Sequence, residues 1–186
     1  MHCICMCFIS SDNSEVFLCF ELREEINMKT KKLVRMALLI AMSYVGAYIK
    51  PFPGPVATAA FDSMPGFFAA AWLSPIEGFI IGALGHIFTA MLQGFYLTIP
   101  VHLLIAVEMG LICFVFGWLW KKTKIGAIIV SSLLNGVASP LSLVVFPHLT
   151  IGVLWAMVPV LLFASVANIV VAAILAKTLP ENLKKI

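Results

Sequence analysis

Six side chains combine polar chemistry with apolar surroundings. Glu108 stands between Leu103-Leu104-Ile105-Ala106-Val107 and Met109-Gly110-Leu111. His86 and Gln93 lie two helical turns apart in a second apolar run, and His102 follows Pro100 in a third. Asn135 sits in a stretch without charge, and Asp62 opens Asp62-Ser63-Met64-Pro65. Carboxylates accept hydrogen bonds, amides donate and accept, and an imidazole can do either. Burying such groups among apolar helices costs free energy, so each is a candidate for function. Bond-breaking chemistry has no support. His-Glu-x-x-His, Gly-x-Ser-x-Gly, Cys-x-x-Cys and Gly-x-x-x-x-Gly-Lys are all missing. The set is equipped to hold a small polar molecule, and no enzyme activity is expected.

Each candidate also has a plainer explanation. Glu108 is either a ligand-binding or helix-locking acceptor, or a neutral carboxyl bonded to a neighbouring helix. A single His in an apolar helix is more often packing than a ligand. Here His86, Gln93, His102, His148 and Asp62 all fall toward one side of the membrane, which favours them as a group. Ser132, Asn135, Ser139 and Ser142 recur every three or four residues and form one helical stripe. That stripe either lines a pocket or joins helices. Phe61, Phe67, Phe68, Phe95, Tyr96 and Trp155 could stack on a flat ring, or form the aromatic belt of a membrane boundary. The belt is the better reading for Tyr96. Ser165 and Asn168 read as structural, and Cys113 as a small core residue.

The elements that must position these groups are membrane helices. From Ile125 to Ala176 there are 52 residues without Asp, Glu, Lys or Arg, and 62% of the chain is hydrophobic. About 20 apolar residues cross a bilayer, so this stretch alone holds two spans, with the turn at Phe146-Pro147-His148-Leu149-Thr150. The apolar runs are continuous rather than alternating, which favours helices over a barrel. An all-α bundle of six spans is expected, near Leu33–Ile49, Phe61–Leu73, Ile76–Leu92, Thr98–Trp120, Ile125–Phe146 and Ile151–Ala176. The second is short, and Pro51, Pro53, Pro55 and Pro65 crowd its approach. It is either re-entrant or begins earlier. Six spans place Lys29, Lys31, Lys32 and Arg35, then Lys121, Lys122 and Lys124, then Lys177, Lys184 and Lys185 on one side, leaving Lys50 on the other. The positive-inside rule makes that side, and both termini, cytoplasmic.

Residues 1–27 do not match the rest. Their net charge is −4 against +7 for the remainder, and they hold Cys3, Cys5, Cys7 and Cys19 of the five cysteines. They lack the basic start and small-residue cleavage site of a secretory signal. The Cys-x-Cys-x-Cys spacing is not that of a zinc site, and no metal is expected. Met28-Lys29-Thr30-Lys31-Lys32 reads as the natural start of a membrane protein, with 1–27 a misassigned extension and 28–186 the transmembrane domain.

The first span carries Ala37-Leu38-Leu39-Ile40-Ala41, with Ser43 and Ala47 repeating small residues. Asp62-Ser63-Met64-Pro65 opens the second helix, and Gly78, Gly82 and Gly85 mark the third. Together these resemble the substrate-binding S components of energy-coupling factor (ECF) vitamin transporters. Gly82-Ala83-Leu84-Gly85-His86, the run from Gly94 to Met109 and Asn135-Gly136-Val137-Ala138-Ser139-Pro140-Leu141 look most like the branch assigned to α-ribazole uptake. The resemblance runs from Met28 to the C-terminus.

It implies a subunit of the bacterial cell membrane that captures a vitamin or precursor from outside. Such a subunit docks on a membrane coupling protein bearing two cytoplasmic ATPases, and topples to release its cargo inside. Ala37 and Ala41 would form the docking face. The partners bind the ATP; no cofactor on this chain and no nucleic-acid partner are expected. α-Ribazole joins an apolar dimethylbenzimidazole to a ribose. From the residues themselves we expect Asp62, His86, His102, Glu108 and Asn135 as polar anchors, with Phe67 and Trp155 as walls. An S component for another vitamin, a stand-alone secondary carrier using Glu108, and a purely structural membrane protein are the alternatives.

Overall fold

The computed structural model describes residues 13–49, 52–53 and 58–180. Cys3, Cys5, Cys7, Lys50, Lys184 and Lys185, which enter the charge and cysteine arguments above, lie outside them. The chain divides into two compact units, Met1–Met36 and Ala37–Ile186.

Helix α1, Asn13–Gly46, starts in the first unit and ends in the second. In the first unit Lys29 Nζ lies 2.7 Å from Glu25 Oε1, an exposed pair one helical turn apart. The Lys29 ammonium holds the Glu25 carboxyl below its ordinary value, by hydrogen bonding and then by charge.

The second unit contains the remaining elements. A ribbon of two residues per strand, β1 (Phe52–Pro53) and β2 (Thr58–Ala59), is antiparallel with Phe52 opposite Ala59. Five helices follow: α2 (Met64–Trp72), α3 (Pro75–Leu92), α4 (Ile99–Trp120), α5 (Lys124–Val145) and α6 (Ile151–Thr178). The helical class expected from sequence holds, with this short ribbon added. Among the described residues, α3, α4, α5 and α6 are long and apolar enough to cross a membrane.

The two other expected spans differ from the sequence reading. The first, expected over Leu33–Ile49, is the end of the much longer α1, whose window is broken by Lys29, Lys31, Lys32 and Arg35. The second, expected over Phe61–Leu73, is only 9 residues. At 1.5 Å per residue it is about 14 Å long, too short to cross a bilayer. Its start is tied down from another helix. Asn168 on α6 accepts the Met64 N–H at 2.8 Å, and its amide donates to the Ala60 carbonyl at 2.7 Å. Ser63 makes no side-chain cap, so Asn168 supplies the missing acceptor.

Local sequence explains the other helix starts. Ser74-Pro75-Ile76-Glu77 has capping-box spacing: Ser74 Oγ accepts the Glu77 N–H at 3.2 Å and donates to Glu77 Oε2 at 2.8 Å. Thr123 caps α5 by accepting from Gly126 N at 3.3 Å. Pro100 stands in the first turn of α4, where its missing N–H costs nothing. Close packing of α2, α3 and α4 depends on glycine. A Cβ on Gly82 would lie 2.8 Å from Cys113 Sγ, and one on Gly66 would lie 2.9 Å from Gly82 Cα.

Two apolar clusters result. One joins Phe67, Phe116, Cys113, Trp120, Ala127 and Ile169. The other joins Val101, Leu143, Leu149, Leu154 and Met157, near the α3–α4 and α5–α6 turns. The outward face stays apolar: Leu103, Val107, Leu111, Phe114 and Trp118 run along α4 and are all exposed. A stripe of that kind suits a lipid surface and not water.

Candidate functional site

Between the segment before α2 and helices α3, α4, α5 and α6 lies a cavity of about 120 Å³. Its walls bring together Asp62, His86, His102 and Asn135, four residues from four separate parts of the chain. Ser63, Thr89, Gln93, Tyr96, Ser139 and Ser165 complete the polar lining, with Ile105, Met109, Leu143, Met157 and Leu161 among the apolar residues.

The histidines form the centre of one wall. His86 Nε2 lies 3.3 Å from His102 Nδ1, a hydrogen-bonding distance that requires one of the two nitrogens to carry the proton. His102 is packed edge-on against Tyr96 and Phe95, at ring separations of 5.3 and 5.7 Å. It is 3% exposed, and its Nε2 is buried without a hydrogen-bond partner. Thr89 Oγ1, one turn beyond His86, is in the same condition. Buried polar atoms left unpaired are costly, and a ligand that met them would remove that cost.

The turn between α3 and α4 is strained to deliver this wall. Gly94, Phe95 and Thr98 have φ of 70°, 49° and 96°. Glycine adopts such angles freely, whereas a β-branched threonine does not. Backbone outliers of this kind cluster at binding sites. The turn directs Tyr96 and Leu97 into the cavity lining. Burial, and then the Asp62 charge, push the Tyr96 hydroxyl above its ordinary value, so it remains a hydrogen-bond donor.

The opposite wall belongs to α5 and α6. Asn135 Nδ2 donates to Ser165 Oγ at 2.9 Å, and the Ser165 hydroxyl donates to the Leu161 carbonyl at 2.6 Å. Asn135 lies within a π-helical segment, Leu134–Ala138, immediately before Ser139 and Pro140. Proline has no N–H to return to the preceding turn, and a widened turn accommodates that loss.

Other sequence candidates fall elsewhere. Glu108 is not in this cavity but on the far side of Ser139, in an open groove of about 250 Å³ with Leu111, Ile112, Val115 and Leu134. Phe67 is fully buried and meets Phe116 edge-to-face at 5.4 Å, because short α2 packs that side chain inward against α4. Trp155 is 56% exposed on the outer face of α6, while Met157 of that helix lines the cavity. His148 is exposed in the α5–α6 turn. Ala37 and Ala41 are exposed on α1, whereas Ser43 on its other face and Ala47 just after its end are buried. Among the described residues no three His, Cys, Asp or Glu side chains converge as a metal site would require.

Sequence reasoning passed over Thr89 and Met157, and read Ser165 as structural although it lines the cavity. The first was accessible: Thr89 lies three residues after His86 and four before Gln93, on the same helical face. Ser165 and Met157 had no comparable signal, since nothing in α6 alone distinguishes a cavity wall from a helix contact.

Among curated proteins, no sequence matches this chain. A solved structure described as the S component of a bacterial ECF transporter is similar to it, with a TM-score of 0.56. The likeness covers 84% of this chain and 97% of that one at 17% sequence identity, so it speaks to the fold alone. A family model, the substrate-specific component of ECF transporters, matches residues 31–185. That match spans most of the sequence, and the chain belongs to the family of ECF transporter substrate-specific components.

Proposed function

We infer that this chain captures a vitamin precursor of the α-ribazole type and delivers it inward when docked on an ATP-driven coupling module. The observation that carries the reading is the cavity itself. It gathers Asp62, His86, Gln93, His102 and Asn135 from distant parts of the chain beside an apolar wall of Ile105, Met109, Leu143 and Met157. Few convergent polar groups within a mostly apolar recess are what small-molecule sites require. The apolar side suits dimethylbenzimidazole, and the carboxylate, amides and imidazoles suit ribose hydroxyls. Asp62, His86, His102 and Asn135 are therefore the proposed anchors. Phe67 and Trp155 are no longer needed as walls.

The module is a membrane coupling protein with two cytoplasmic ATPases, and Ala37 and Ala41 on the exposed face of α1 are its proposed contact. Small residues on an exposed helix face let a partner helix approach closely. The positive-inside rule supports a cytoplasmic side for Lys121, Lys122 and Lys124, and with it for both termini.

Uptake of labelled α-ribazole by cells expressing this chain tests the reading. Accumulation is expected only when the coupling and ATPase subunits are co-expressed. Equal accumulation without them would replace it with a stand-alone carrier.

A further inference from the structure

Glu108 sits behind the cavity wall and not in it, yet it is bound to that wall. Ser139 Oγ donates to Glu108 Oε2 at 2.5 Å. The Ser142 hydroxyl lies 2.5 Å from Glu108 Oε1 and 2.7 Å from the Ser139 carbonyl. Both carboxyl oxygens on α4 are thus engaged by α5. Ser139 belongs to the cavity lining on one side and to the groove containing Glu108 on the other, and no other residue lines both.

The stretch of α5 held in this way is its irregular part. The π segment Leu134–Ala138 ends where Ser139 donates its N–H to the Leu134 carbonyl. Pro140 follows, with no donor to give, and the helix then tightens into a 3₁₀ turn at Leu143–Val145. A helix that passes from π to α to 3₁₀ within twelve residues, with Pro140 giving no N–H, departs from the regular backbone ladder there. Asn135, Ser139, Pro140 and Leu143 are all cavity residues in this stretch. From α6 the stretch is held by the Asn135–Ser165 bond and by Gly136, where any Cβ would clash with Leu162. From α4 the polar restraint is Glu108.

We propose that Glu108 is a positioning residue for the substrate cavity, clamping Ser139 and Ser142 so that the irregular part of α5 presents Asn135 and Ser139 to the ligand. The proposal rests on this cavity being the substrate site. Glu108 itself does not touch the ligand. Its amide replacement keeps the shape and one acceptor oxygen, whereas alanine releases both serines.

Hydrogen exchange and ligand titration on the full chain in detergent test it, using Glu108→Ala, Glu108→Gln, Ser142→Ala and the Glu108→Ala/Ser142→Ala pair. In Glu108→Ala the amides of residues 134–145 should exchange about tenfold faster, with the rest of the bundle unchanged, and α-ribazole should bind about tenfold more weakly. Glu108→Gln should restore both to within about threefold, and the double variant should resemble Glu108→Ala alone. Ser142→Ala alone should show a smaller change at the same amides, which decides the matter if Glu108→Ala does not fold. Unchanged exchange over 134–145 would overturn the proposal, as would faster exchange throughout the bundle. Failure of α-ribazole to bind the wild-type chain would remove the substrate reading, while the exchange pattern would still decide the role of Glu108.

Discussion

His102 shows how a single side chain is given a task by its neighbours. Tyr96 and Phe95 pack edge-on against its ring, His86 bonds its Nδ1, and its Nε2 has no partner. A group so fully enclosed gains most when a ligand completes its hydrogen bonding. Replacing His102 with Phe should keep the packing and lose the bonds. We expect at least about a tenfold rise in the dissociation constant by titration calorimetry, the usual order for one buried hydrogen bond. His148→Phe, in the exposed turn, should bind like wild type. Four of the five expected anchors, Asp62, His86, His102 and Asn135, line the cavity, in keeping with the cost of turning a polar group toward lipid. Phe67 and Trp155, expected as walls, lie outside that lining for a physical reason. An aromatic ring is equally at home in a core, a lipid surface or a binding wall, so its type says nothing about which it faces. Glu108 was visible as an anomaly, but its bonds to Ser139 and Ser142 depend on how two helices are rotated against each other.

At the scale of elements, close contact of α2, α3 and α4 places the His86 wall. Gly82 lies against Cys113 and Gly66, and there is no room for a side chain. Gly82→Val should destabilise the bundle by about 1–3 kcal/mol, seen as an earlier thermal unfolding transition in detergent, and should weaken ligand binding with it. Gly152→Ala, where a Cβ would meet nothing within 4 Å, should unfold like wild type. The four long helices were legible within a few residues, since uninterrupted apolar length is a direct signal. α2 was legible as a short helix opening near Asp62–Pro65, but the tie at its start was not: Asn168, more than a hundred positions away, accepts the Met64 N–H. No local pattern announces a cap supplied by another helix. The strained turn at Gly94–Thr98 was equally silent: only glycine among its residues hints at positive φ.

For the molecule as a whole, capture and delivery should separate. The cavity is lined by helices α3 to α6 and the segment before α2, whereas Ala37 and Ala41 stand exposed on α1 and do not line it. Ala41→Trp should therefore abolish uptake in cells carrying the coupling module and leave the dissociation constant within about twofold of wild type. Loss of both together would mean that α1 shapes the cavity instead of meeting a partner. The central claim concerns the ligand, and titration calorimetry of the purified full chain tests it most directly. α-Ribazole would be titrated beside riboflavin, thiamine and pantothenate. The account predicts saturable one-to-one binding of α-ribazole and no heat from the others. Binding of one of the other three in its place, or no binding to folded protein, would contradict it.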